Sequence, residues 1–198
     1  MSTVEHATES HHLPPEQVAG QQRKAVLLFI LGDAVVFGCM IFSWFYLRAL
    51  NVSGGWLPKD AKTVSSGLVW VITAITVLSA VVYWMGEKGI KAGERSRFTT
   101  MTIVGLVLVL VALALSIYQA ATWPILMSDG TYASMFIVMA GLQMLHLLIL
   151  LFVGLGIWIR ATKGLLDNGN YVHATVTGYF WYWVTATAVL GALLTFFK

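Results

Sequence analysis

Charge is scarce in this chain. Asp, Glu, Lys and Arg make up 11% of its 198 residues, against about 25% in a soluble domain. Five long segments carry almost none: 25–47, 64–86, 98–128, 130–159 and 174–197. Each matches or exceeds the ~20 residues a helix needs to cross ~30 Å of hydrocarbon. The runs do not alternate polar and apolar residues, which excludes a membrane β-barrel with its ~10-residue alternating strands. Cysteine is almost absent. The single Cys39 lies inside the first segment, so no intrachain disulfide can form. A haem-attachment Cys-x-x-Cys-His, a phosphate-binding Walker loop and a Gly-rich dinucleotide fingerprint are missing too.

What is there reads as an all-α integral membrane bundle of five transmembrane helices, at about 24–50, 64–86, 98–123, 131–160 and 172–197. These helices form one membrane domain over 21–198. Residues 1–20 are polar, read as a flexible N-terminal tail, and show no cleavable signal peptide. His6, His11 and His12 in that tail read as solvated side chains, because no further ligand lies nearby. Basic residues flank the spans and set orientation, so the net charge of +3 implies no nucleic-acid partner. Arg23, Lys24, Lys88, Lys91, Arg95, Arg97, Arg160 and Lys163 fall on one side, and Arg48, Lys59, Lys62 and Lys198 on the other. This bias predicts a cytoplasmic N-terminus and a C-terminus outside.

Gly54, Gly55 and Pro58 mark the first loop, and Pro124 ends the third helix. Ser128 or Asp129 is placed to cap the fourth. Trp44, Trp56, Trp84, Trp123 and Trp158 fall near span ends, as interfacial aromatics do. Thr73, Thr76 and Ala80 in the second helix, and Thr187, Gly191 and Thr195 in the last, are spaced as packing faces.

Few polar side chains lie within the spans. Asp33 is the one acid read as deep, roughly 13 Å into its helix at 1.5 Å per residue. Its neighbours one turn away, Phe29, Ile30, Val36 and Phe37, are all apolar. An intramembrane ionisable residue marks a function by default. The competing reading is an acid that hydrogen-bonds a neighbouring helix and fixes the packing. His146 is the one deep histidine, with Gln143 a turn before it, and Gln119 lies toward the end of the third helix. One imidazole cannot make a bis-His haem, nor the three or four ligands of a copper or zinc site. The chain therefore holds no catalytic centre, metal or cofactor of its own by this reading.

The residues resemble subunit III of the haem–copper oxidases, in the short bacterial form with five helices. "LLFILGDAVVFGCMIFSWFYLR" is similar to that family's first conserved helix, with Asp33 on the acidic position. "GGWLP" resembles the turn that follows. "SDGTYASMFIVMAGLQMLH" resembles a stretch leading into Thr-Gly-x-His-x-x-His, with His146 on the second histidine. "YFWYWV" resembles the last helix, with Trp181 on its tryptophan. The chain departs at Gln143 and Tyr182, where the family has histidine, at Thr185 for Asp, and at Gln119 and Thr175, where Glu is common.

The resemblance implies an accessory subunit of a respiratory terminal oxidase in the bacterial inner membrane. Haem and copper would sit in partner subunits. The chain would pack on catalytic subunit I beside other oxidase subunits, bind structural phospholipids, and support stability and proton uptake. Asp33 would be a buried acid with His146 and Gln143 as candidate partners. Arg160 and Trp181 would contact lipid, with Arg160 equally placed as an ordinary cytoplasmic anchor. The electron donor, cytochrome c or quinol, would bind elsewhere in the complex. Two alternatives stay open: the related accessory subunit of a nitric-oxide reductase, and an independent proton-coupled transporter using Asp33 and His146.

Overall fold

The computed structural model describes residues 15–51, 54–58, 62–167 and 169–197. His6, His11 and His12, Lys59 and Lys198 lie outside them. Five α-helices follow one another: α1 (Pro15–Ala49), α2 (Ser66–Lys91), α3 (Arg95–Ala121), α4 (Thr131–Thr162) and α5 (Val172–Leu194). α1 begins at Pro15, not near residue 24. Proline suits a first helical position, since its fixed φ is helical and its missing N–H would have no intrahelical partner. Residues 15–20 are thus helical. Helices α1 to α4 are each long and apolar enough to cross a membrane.

The ends of α2 and α4 share one chemistry. Gly93 (φ 84°) follows α2 and Gly164 (φ 76°) follows α4, both in the left-handed region that glycine adopts without strain. After α2, Glu94 N–H donates to Gly89 O and Gly93 N–H to Ile90 O. After α4, Leu165 N–H donates to Arg160 O and Gly164 N–H to Ala161 O. Both are Schellman closures that satisfy the last carbonyls of a helix. The start of α4 differs from expectation. Neither Ser128 nor Asp129 caps it. Asp129 instead accepts from Leu126 N–H at 2.7 Å and closes a 3₁₀ turn, Met127–Asp129. Gly130 (φ 122°) stands at the helix start, and a Cβ there would meet Pro58 at 3.0 Å. Thr131 and Tyr132 N–H donate to Gly55 O and Trp56 O, which fastens the first loop to α4.

α2, α3, α4 and α5 close into a four-helix bundle in which α2 packs on α3 and α5, and α4 packs on α3 and α5. α1 lies outside the ring, against α4 and α5. Trp181 of α5 fills the ring's centre. It is wholly buried, stacks on Tyr83 at 4.3 Å and donates to Ser79 Oγ at 3.0 Å. Its neighbours on α3 and α4 are glycines. A Cβ on Gly105 would lie 3.2 Å from the indole, and one on Gly154 3.2 Å from it and 2.6 Å from Leu106. Helices in lipid gain little from the hydrophobic effect and associate through such close packing. Thr73, Thr76 and Ala80 of α2 are buried, and Thr73 Oγ1 reaches Ala188 O of α5 at 3.5 Å.

Gly154→Ala should therefore lower stability by about 1–3 kcal/mol, the usual cost of overpacking. Gly191→Ala, where a Cβ meets nothing within 4 Å, should be neutral or slightly stabilising because alanine favours helix. Thermal melting of the two variants in one detergent checks the contrast. Equal midpoints would contradict the packing described.

The tryptophans divide. Trp84 is exposed, with Lys88 Nζ 3.5 Å above its ring. Trp44 and Trp56 are buried, not interfacial. They meet edge to face at 5.1 Å, both contact Tyr132, and Trp44 donates to Phe197 O at 3.2 Å. This aromatic cluster joins the end of α1, the first loop and the start of α4.

Candidate functional site

α1 has one inward stripe, in which Ile30, Asp33, Phe37, Met40, Trp44 and Leu47 lose exposure at alternating spacings of three and four. Much of the rest of its apolar surface, including Leu28, Leu31, Val35 and Phe42, is exposed. Asp33 is the single acid on the stripe, so its carboxylate enters the groove between α4 and α5. His146 of α4 meets it there. Nε2 stands 3.2 Å from Oδ1 and 3.1 Å from Oδ2. From α5, Trp183 Nε1 donates to Oδ2. The imidazole is 4% exposed and the carboxylate 15%. With the proton on Nε2, both imidazole contacts are hydrogen bonds, and Nδ1, which has no partner among the described residues, is a bare acceptor. One carboxylate thus joins three helices.

Gln143 does not reach Asp33, contrary to its place among the candidate partners. It turns toward α5, donating to Val184 O at 3.2 Å and accepting from Thr187 Oγ1 at 3.0 Å. The three-residue step from Gln143 to His146 turns the side chains about 60° apart at 3.6 residues per turn. That suffices to send one to α5 and the other to α1.

Trp181 leaves no surface for lipid, because the bundle encloses it completely. That expectation is corrected. The tryptophan two residues on, Trp183, is the one at the acid. Arg160 lies in the last turn of α4 and is exposed. It stays available to an external phosphate.

A second buried acid escaped the sequence reading. The helix expected at 64–86 stops one residue short of Glu87, but α2 continues past Gly86 to Lys91 and Glu87 is 5% exposed. Its carboxylate accepts from Tyr182 Oη at 2.7 Å and pairs with Lys91 Nζ at 2.6 Å. An acid in the last turn opposes the helix dipole, so the tyrosine and lysine are what hold it. Gly178 makes room for it, since a Cβ there would lie 3.0 Å from Oε2. Glu87→Leu should cost about 2 kcal/mol by leaving the Tyr182 hydroxyl without its acceptor. Glu87→Gln, which still accepts from Tyr182, should cost about 1 kcal/mol. Thermal melting ranks the two, and the reverse order would contradict the assignment.

Among the described residues, no group of three or more His, Cys, Asp or Glu is placed to hold a metal ion.

The family model for cytochrome c oxidase subunit III matches residues 3–196 of this chain. The chain belongs to that family. It is similar to cytochrome c oxidase subunit 3 of Danio rerio, with 29% identity over 147 residues, 71% of this chain and 55% of that protein. The corresponding protein of Polypterus ornatipinnis is 25% identical over 182 residues, 89% of this chain and 68% of its own. That of Cyanidium caldarium is 26% identical over 145 residues, 71% and 53%. The chain spans about half the length of most of the curated relatives it matches. As a subunit III family member it is a multi-pass membrane protein whose acid-bearing helix is held to the bundle by His146 and Trp183.

Proposed function

We propose that the chain is the non-catalytic subunit III of a haem–copper terminal oxidase in a bacterial inner membrane. The subunit III family match across nearly the whole chain carries this reading. α5 crosses the bilayer with the other four helices. Its threonines, tyrosines and tryptophans lower its hydropathy, but most of that polarity is turned into the bundle. The surplus of Lys and Arg at the N-terminus and the second and fourth loops puts the N-terminus in the cytoplasm and the C-terminus outside.

Haem, copper and electron-donor binding belong to partner subunits. The outward face of α1, apolar and unpartnered by its own chain, is the surface that packs on catalytic subunit I. Asp33 serves that contact indirectly, by holding α1 in register on α4 and α5. Arg160 takes a phospholipid phosphate at the cytoplasmic interface, where a guanidinium can bind phosphate bidentately.

Mild solubilisation followed by capture on this chain tests the proposal. Co-purified subunits carrying haem, seen in the visible spectrum and consuming oxygen, are the expected result. A colourless single chain that carries ions across liposomes would overturn it in favour of a transporter. A complex that reduces nitric oxide and not oxygen would move it to the reductase relative.

A further inference from the structure

A cavity of about 80 Å³ lies where α1, α3 and α5 finish, with walls from all five helices. One water needs roughly 10–15 Å³ on that measure, so the space has room for several waters or for part of a larger guest. Phe37, Trp44, Phe136, Met139 and Met144 make much of its wall, and no Asp, Glu, Lys, Arg or His lines it. It is separate from the Asp33 site and from Arg160, which closes the other end of α4.

The hydrogen bonding of the wall is nearly complete. Thr73 donates to Val69 O, Ser116 to Ala112 O, Thr195 to Ala192 O and Thr187 to Gln143 Oε1. The Gln143 amide donates to Val184 O. Two donors remain. Gln119 Nε2 and Trp123 Nε1 line the cavity, are buried, and have no partner among the described residues. Gln119 as a whole is 7% exposed. Each such donor carries the full cost of its lost hydration. Gln119 lies in the last turn of α3 and Trp123 two residues past its end, and both line the same space.

We infer that this cavity binds an uncharged molecule carrying a carbonyl or ester oxygen on an alkyl body. Gln119 Nε2 and Trp123 Nε1 donate to the oxygen, whose two lone pairs can serve both. The aromatic and methionine side chains cover the alkyl part, and methionine adapts to irregular shapes. A carboxylate or an ammonium is rejected, because the wall has no opposite charge to offset its desolvation. Gly191 and Met144 are partly exposed, so the guest enters from the side of the bundle.

Photolabelling of the purified protein, in whatever complex it is isolated, tests this. The probes are methyl palmitate, palmitate at pH 8 and hexadecane, each carrying a diazirine near the same end. The ester should label the α4 segment containing Met139 and Met144. The anion and the alkane should label it about threefold to tenfold less, the effect of one or two hydrogen bonds. Gln119→Leu keeps the volume and should cut ester labelling about threefold or more. Gly191→Leu places a side chain in open space and should abolish it. Equal labelling by all three probes, labelling that survives Gly191→Leu, or no ester labelling at all would overturn the inference, the last meaning that water alone fills the site. Extraction of the isolated protein separates the natural sources. A glycerolipid released only on delipidation identifies a membrane ester, and a free neutral carbonyl compound identifies a diffusible guest.

Discussion

Asp33→Ala should lower the stability of the chain by about 2–5 kcal/mol. The substitution leaves two donors without an acceptor, His146 Nε2 and Trp183 Nε1. Each buried orphan costs about 1–3 kcal/mol. It also removes the one polar tie, among the described residues, from the middle of α1 to α4 and α5. Asp33→Asn should cost only about 1 kcal/mol. The amide oxygen can accept from Trp183, and its N–H₂ can donate to His146 Nε2 if the imidazole proton moves to Nδ1. The residual cost is that relocated N–H, which finds no partner. Thermal melting in detergent reads both. In the proposed oxidase, Asp33→Asn should assemble and start turnover near the native rate, measured as oxygen uptake. Immediate loss of electron transfer with intact assembly would argue that the carboxylate does more than hold a helix.

Trp181→Ala should be comparably damaging. Truncating a fully buried tryptophan costs about 3–5 kcal/mol in soluble cores. In lipid the transfer part of that cost shrinks, because the helices unpack into hydrocarbon and not water, but the cavity part remains. A loss of about 2–4 kcal/mol is expected. The vacated volume lies between Tyr83, Gly105 and Gly154, and glycines have no side chains to move in and fill it. Trp181→Phe should recover much of the loss, keeping the stack on Tyr83 and losing the bond to Ser79. Wild-type-like melting of the alanine variant would mean that the ring does not organise the bundle.

The sequence made some of this legible and hid the rest for identifiable reasons. A carboxylate with apolar residues one turn away on both sides can be found by inspection, and so can the one histidine within a span. Their pairing could be suspected on scarcity alone, although 113 positions separate them. Trp183 was hidden by Trp181, which carried the family likeness. Residues two apart on a helix point about 160° apart. One of this pair therefore enters the ring and the other faces α1, a difference that only the placement of α1 outside the ring decides. Glu87 was hidden because an acid next to lysines at the end of an apolar run looks like a flank. Its burial needs one more turn of α2 and a tyrosine 95 positions away. Trp44 and Trp56 looked interfacial because position along a helix is readable from sequence, whereas the cover supplied by a returning loop is not. The unsatisfied Gln119 amide was equally invisible, since a glutamine near a helix end ordinarily finds water.

The central claim is that Asp33 acts as a fastening between α1 and its neighbours. A double-mutant cycle with Asp33→Ala and Trp183→Phe measures this most directly, because phenylalanine removes the indole N–H while keeping an aromatic ring. Unfolding free energies of the two single variants and the double variant should reveal a coupling of about 1–2 kcal/mol, within the range for residues in contact. Strictly additive losses would contradict the account.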